Sequence, residues 1–354
     1  MAKDPHKILI RGVNWIGDAM MTIPAMRALR RLFPESQTTL LINDPAGQLF
    51  QSFSAVDRVI GFTCRPGMSG VTDRLTLVRK LRQCRFDLCL ILPNSFDSAL
   101  IPFLAAIPER VGFDRDGRGL LLTQPVPPVA RAEGRHQAYH YLDLVSALGP
   151  IESTLNMDLD LDEKARQWAK EQLDPLKERR QGPLIGLNPG AAYGPAKRWF
   201  PERFAALGRR LAAELDAAIV VVGGPDEKGL GASIAGAIGP EVLDLSGRTS
   251  LPQLAAALAR CDLIVTNDSG PMHLASAVGV PLVAVFGPTD PRATSPMGRH
   301  SIVRKECPCA PCLERICPRG DTLCMALVEV DDVLPAVKDI LREGEKREDK
   351  SAAP

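Results

Sequence analysis

The chain has 354 residues, of which 45% are hydrophobic, 24% charged and 5% aromatic, with a formal net charge of +1. That length accommodates two domains of ordinary size, and the near-neutral charge gives no electrostatic case for nucleic acid. No apolar run reaches the roughly 18 residues of a membrane span, and the opening Met1-Ala-Lys-Asp-Pro-His-Lys7 has no signal-peptide core, so a cytoplasmic protein is expected.

Lys7 to Arg11 is an apolar run that predicts a first strand. The loop Gly12-Val-Asn-Trp-Ile-Gly-Asp18 follows, then a helix over 19–33 with Pro24 in its first turns, where proline is best tolerated. Asp18 stands at this strand-to-helix crossing. It is either a helix cap or a carboxylate at the mouth of a site, able to act as a general base. Strands are predicted over 38–43, 58–62, 86–93 and 110–113, with helices over 46–53, 71–83 and 95–106 between them. This alternation points to a doubly wound parallel sheet.

The pattern then breaks. Residues 114–136 are rich in Gly, Pro and Arg without periodicity, as a long functional loop would be. Arg115, Arg118, Arg131, Arg135, His136 and nearby His140 make the region basic, either as a solvated surface or as a landing site for an anionic acceptor. A helix over 137–148 and a charged amphipathic helix near 162–173 lead to a domain boundary placed at 165/166.

The second half repeats the alternation. A buried strand over 184–188 runs into Pro189-Gly-Ala-Ala-Tyr-Gly-Pro-Ala-Lys197, where glycine lets backbone approach a ligand and Lys197 can meet a diphosphate as a point charge or form an exposed basic pair with Arg198. A strand over 217–223 ends in Gly223-Gly-Pro-Asp-Glu227, and Glu227 can bind a ribose diol or complement a helix dipole. After a strand over 242–245 and a helix over 253–260 comes Cys261 to Gly287, a strand–turn–helix–strand unit whose turn is Thr266-Asn-Asp-Ser-Gly-Pro-Met-His273. A helix start at a strand's C-terminal end suits a phosphate. Two Rossmann-like α/β domains with a cleft between them are the simplest architecture. The absence of a G-x-G-x-x-G fingerprint argues against a dehydrogenase.

Gly17-Asp18, Asn188-Pro-Gly190, Lys197-Arg-Trp-Phe-Pro201, Gly223-Gly-Pro-Asp-Glu227, Leu245-Ser-Gly-Arg-Thr249 and Asn267-Asp-Ser-Gly-Pro-Met-His273 together resemble the ADP-heptose:lipopolysaccharide heptosyltransferases, glycosyltransferase family 9, over about residues 7–340. The Asn14–Met21 region resembles the type II members more than type I. The resemblance implies a GT-B fold of two Rossmann-like doubly wound domains facing across a cleft: 1–165 for the acceptor, 166–342 for the ADP-sugar, and 343–354 as a disordered tail. It implies inverting transfer of L-glycero-D-manno-heptose from ADP-heptose to heptosyl-Kdo2-lipid A, with no metal or other cofactor required and with peripheral contact at the cytoplasmic face of the inner membrane. Asp18 matches the base. Asn188, Gly190, Lys197, Glu227, Asp268, Ser269, Gly270, Met272 and His273 fall at donor-binding positions, with Asp268 also a candidate helix cap. Arg11, Arg131, Arg135, His136 and His140 are the expected acceptor contacts. Alternatives are a type I enzyme, a GT-B transferase with another donor, and a non-catalytic nucleotide-sugar-binding protein.

Five of the nine cysteines crowd into one Pro-rich segment: Cys307, Cys309, Cys312, Cys317 and Cys324. The C-x-x-C spacing of Cys309 and Cys312 is usable for a metal. A disulfide or redox role and reduced structural thiols are the alternatives. A final helix is expected over 330–342.

Overall fold

A computed structural model describes residues 4–63, 68–128 and 135–351, and it divides the chain into two compact units, Met1–Asp160 and Leu161–Pro354. The division falls five residues before the expected 165/166, so the helix Glu163–Lys177 belongs wholly to the second unit. That helix starts on Asp162, whose carboxylate accepts from Ala165 N at 2.9 Å.

The first unit holds β1 (Lys7–Arg11), β2 (Gln37–Asn43), β3 (Arg58–Phe62), β4 (Leu88–Ile91), β5 (Glu109–Phe113) and β6 (Gln124–Val126). They form one sheet in the order β3-β2-β1-β4-β5-β6, and every pairing is parallel. The second unit holds β7 (Leu184–Asn188), β8 (Ala218–Val221), β9 (Leu243–Asp244), β10 (Leu263–Asn267), β11 (Leu282–Val285) and β12 (His300–Val303). Its order, β12-β11-β10-β7-β8-β9, is the same winding with the same parallel sense. The central strands are almost wholly buried because helices cover both faces. Leu9, Leu41 and Ile91 are fully buried in the first unit and Leu187, Val265 and Val285 in the second, each stabilising the fold by about 1.5–3 kcal/mol.

Doubly wound sheets place ligands at the strand exits where the winding reverses. Here those points are the exits of β1 and β4 in the first unit and of β7 and β10 in the second.

Several elements differ from expectation, each for a local reason. The helix expected over 19–33 is two, Ile16–Met21 and Ile23–Leu32. A continuous helix would set the Pro24 ring against the Met20 carbonyl, and the break at Thr22 avoids this, with its hydroxyl donating to Ala19 O at 2.7 Å. Asp18 therefore lies inside the first helix, and Trp15 is the N-cap residue. The aperiodic stretch 114–136 contains a 3₁₀ turn, Arg118–Leu121, and edge strand β6, where Pro125 is tolerated because one side is unpaired. The last helix, Val330–Ser351, continues through most of the segment expected to be disordered.

Arg118 is not part of a basic surface. Gly117, with φ +70°, turns the chain inward, and the Arg118 side chain is fully buried. Its Nε donates to Phe113 O at 2.8 Å and Nη1 to Ser98 Oγ at 3.0 Å and to Pro93 O. Burial lowers its pKa to about 10. The guanidinium thus ties the exits of β4 and β5 together. Arg118→Ala leaves a cavity and strands these carbonyls, and is expected to lose about 2–4 kcal/mol in urea unfolding; unchanged stability would refute this role.

Candidate active site

In the second unit three strand exits converge on one ion pair. Lys197 Nζ lies 2.6 Å from Asp268 Oδ2, with the two side chains only 12% and 4% exposed. The same carboxylate oxygen accepts from Thr289 Oγ1 at 2.6 Å. Lys197 comes from the loop after β7, Asp268 from the turn after β10 and Thr289 from the turn after β11. The carboxylate is thereby held by two donors, and the ammonium is fixed at the switch point of the sheet.

The neighbouring amides lock these loops. Asn267, last residue of β10, donates through Nδ2 to Pro189 O (2.7 Å) and Gly190 O (3.3 Å), and its Oδ1 accepts from Trp199 N at 3.0 Å. Asn188, fully buried at the end of β7, donates to Thr266 Oγ1 (2.8 Å) and Ser269 Oγ (2.9 Å). Ser269 is the N-cap residue of the helix Gly270–Ala277 but makes no side-chain cap, its hydroxyl being held by Asn188. Asp268 does not cap this helix either; it serves Lys197 and Thr289.

The helix start itself is sparing with donors. Pro271 has no N–H, and Met272 N is bonded to Ser269 O at 3.2 Å. Among the described residues, the Ser269 and Gly270 N–H groups are the ones left without a hydrogen-bond partner to meet an anion. Met272 and His273 are buried in the helix, so they shape the site from behind.

Glu227 reaches the same place. Its Oε2 accepts from Gly224 N at 2.7 Å, and its carboxylate lies against Gly190, where an added Cβ would fall 1.9 Å from Oε1. A side chain at position 190 would displace the Glu227 carboxylate. Arg198, 41% exposed, stands 4.0 Å from Glu227 Oε1.

The cysteine-rich segment braces this loop. Leu313 O accepts from Tyr193 Oη at 2.8 Å and Arg315 O from Ala196 N at 3.2 Å, while Leu313 N donates to Pro288 O at 2.8 Å. Cys309, Cys312, Cys317 and Cys324 line a small cavity beside Ala196 and Pro288. All five cysteines carry free thiols, and Cys307 and Cys309 Sγ lie 3.3 Å apart. Among the described residues, no three His, Cys, Asp or Glu side chains converge as a metal site would require. Burial pushes the Cys324 thiol up to about 11, and the Cys307 contact raises that of Cys309. Both stay protonated and poorly nucleophilic near neutral pH.

In the first unit Asp18 sits at the exit of β1, half-buried, and its Oδ1 accepts from Gln137 Nε2 at 3.2 Å. Gln137 opens the helix Gln137–Ser146 and also approaches Tyr141 Oη at 3.4 Å. The expected acceptor contacts are largely engaged within the unit. Arg11 is 3% exposed, with its guanidinium 4.6 Å above the Phe62 ring. Arg135 is paired with Asp143, His136 Nδ1 accepts from Ala138 N at 3.2 Å as the cap of its helix, and His140 stacks on Phe113 at 4.0 Å. Arg131 lies outside the described residues. Sequence reasoning passed over Gln137, Thr289 and the loop-holding role of Asn267. The one signal available was the polar Gly287-Pro-Thr-Asp290 turn at a strand exit.

Two doubly wound parallel-sheet units, one carrying a half-buried carboxylate at a strand exit and the other a cation held among glycine-bearing loops, define a GT-B glycosyltransferase. The chain belongs to glycosyltransferase family 9 (heptosyltransferase), whose family model matches residues 74–322. It is 34% identical over 307 residues to lipopolysaccharide heptosyltransferase 2 of Salmonella typhimurium, covering 84% of this chain and 87% of that one. To the Escherichia coli lipopolysaccharide heptosyltransferase 2 it is 32% identical over 308 residues, with the same coverage. The solved structure of E. coli ADP-heptose lps heptosyltransferase II superposes with a TM-score of 0.81 at 29% identity, over 96% of this chain and 99% of that one.

Gly190→Ala is expected to displace the Glu227 carboxylate and weaken ADP binding about tenfold or more, measured by calorimetry. Gly236→Ala, at an open helical position, should leave ADP affinity intact and stabilise the fold by about 0.4–1 kcal/mol. Equal ADP affinity in both variants would remove the Gly190–Glu227 contact from the site.

Proposed function

We propose that this chain transfers L-glycero-D-manno-heptose from ADP-heptose to heptosyl-Kdo2-lipid A, building the lipopolysaccharide inner core, as a peripheral protein at the cytoplasmic face of the inner membrane. The observation that carries the reading is the Lys197–Asp268–Thr289 arrangement at the β7/β10 switch point, in a chain of this family.

The acceptor hydroxyl attacks the anomeric carbon, a new C–O bond forms, and the bond to the ADP oxygen breaks with inversion. Asp18 takes the hydroxyl proton, oriented by Gln137. ADP departs with its electron pair, and the charge that develops on the diphosphate is met by Lys197 and the Ser269 and Gly270 N–H groups. Glu227, beside Gly190 at the rim of the loop, accepts from the ribose hydroxyls. A fixed ammonium with backbone donors supplies the charge stabilisation that a divalent ion gives elsewhere, so the reaction requires no resident metal. In this reading base and clamp belong to different units, the first holding the acceptor and the second the donor.

Turnover of ADP-heptose with heptosyl-Kdo2-lipid A tests this. The wild type should release ADP, and Asp18→Asn should lower kcat by about 10²–10⁴ while ADP affinity holds. Undiminished turnover in Asp18→Asn would exclude it as the base, and turnover confined to a uridine-linked sugar would overturn the donor.

A further inference from the structure

The search for unassigned surface leads to one face of the first unit. Three elements there pack side by side: the helix Met68–Cys84, the helix Phe96–Leu104 and the turn Arg118–Leu121. Their inner sides fill the core with Leu77, Leu81, Ala99 and Ile101. Their outer sides are apolar as well. Phe96 is 47% exposed, Phe103 43% and Leu120 94%, and Val71, Leu75 and Leu104 are exposed with them.

Helical geometry makes this a continuous face. Val71 and Leu75 are four residues apart, and Phe96 and Phe103 seven, so each pair projects from one side of its helix. Isolated exposed apolar residues are ordinary, but a group this size on adjoining elements marks a contact surface.

Cationic groups border it. Arg79, Lys80 and Arg82 are exposed on the first of these helices, which carries four basic residues and one acidic residue. Arg82 Nε donates to Leu104 O at 2.9 Å, and the Arg110 guanidinium lies 5.4 Å from the Phe103 ring centroid. The acid closest in sequence to Phe96, Asp97, is already paired with Arg74 at 2.9 Å. Large apolar side chains interleaved with fixed cations suit the boundary between anionic headgroups and acyl chains. Phe96 also opens at the strand-exit edge of the sheet, the edge at which β1 leads to Asp18.

We infer that this face, built on Val71, Leu75, Phe96, Phe103, Leu104 and Leu120, docks the protein on an anionic lipid bilayer. The choice of a bilayer over another apolar partner rests on the lipid-linked acceptor of the proposed function together with the cationic border. Phe96, Phe103 and Leu120 enter the interfacial layer, Arg79 and Arg82 meet lipid phosphates, and the acceptor's sugars are presented to the strand-exit edge without leaving the membrane.

The test is flotation of the full chain with phosphatidylcholine vesicles and with vesicles that also contain phosphatidylglycerol. The wild type should bind the phosphatidylglycerol vesicles, less so as salt is raised, and bind pure phosphatidylcholine weakly. Phe96→Ser/Phe103→Ser/Leu120→Ser should lower the partition coefficient by about tenfold or more, and Arg79→Glu/Arg82→Glu should remove the salt-sensitive part. The substituted positions are exposed, and an unchanged melting temperature verifies folding. Failure of the wild type to bind, or equal binding by the triple variant, overturns the inference. Conversion of a dimer to a monomer by the triple variant gives the face to a second copy and also overturns it. Heptosyl transfer to a soluble, deacylated acceptor separates the two readings. The triple variant should keep kcat/KM there and lose it on vesicle-embedded acceptor. Vesicle binding without any transfer would leave the surface standing and remove the proposed function.

Discussion

The second unit depends on a buried charge pair. Lys197 and Asp268 meet at 2.6 Å with almost no solvent around them. Two charges in such a place offset their desolvation only when their remaining valences are filled, and losing one partner costs about 3–5 kcal/mol. Thr289 fills one valence of the carboxylate. Because the three residues come from three strand exits, the pair closes the loops after β7, β10 and β11 on one another. Under the proposed function, an ammonium held this way would already be aimed when a diphosphate arrives, leaving little reorganisation for the moment of reaction.

Everything near the pair serves its position. Asn267 holds the backbone of Pro189, Gly190 and Trp199, Asn188 holds Thr266 and Ser269, and the cysteine-rich segment grips Tyr193 and Ala196 from the outer side. Seen this way the cysteine segment is a structural brace for the lysine loop, which explains its closeness to the site without asking its thiols to react. The first unit is organised differently. Its carboxylate accepts from a neutral amide, that of Gln137.

The parallel alternation was legible in the sequence because buried strands in doubly wound sheets are apolar on both faces. The central strands β1 and β7 have the bounds predicted from the sequence. β6 and β12 were not legible. Gln-Pro-Val and His-Ser-Ile-Val are short and carry neither an apolar run nor strand periodicity, unlike the edge strand β3. The polar turns at strand exits were legible in the sequence, and Asp18, Lys197, Glu227 and Asp268 all lie at or just beyond such exits. Their partnerships were not. Sequence spacing cannot show that Asp268 spans 71 residues to reach Lys197, or that Gln137 stands 119 residues from Asp18. Arg118 misled because composition records charge and not direction. A left-handed glycine turned it from a surface cation into an internal clasp.

The central claim is that the fixed ammonium of Lys197 holds the donor diphosphate without help from a metal. Calorimetric titration of ADP into the wild type and into Lys197→Gln, both in chelator, tests it most directly. The account predicts binding by the wild type in chelator and an affinity lower by about tenfold or more in Lys197→Gln, where the glutamine still donates to Asp268 but carries no charge. Wild-type binding that appears only on adding a divalent cation, or equal affinity in the two proteins, would contradict it.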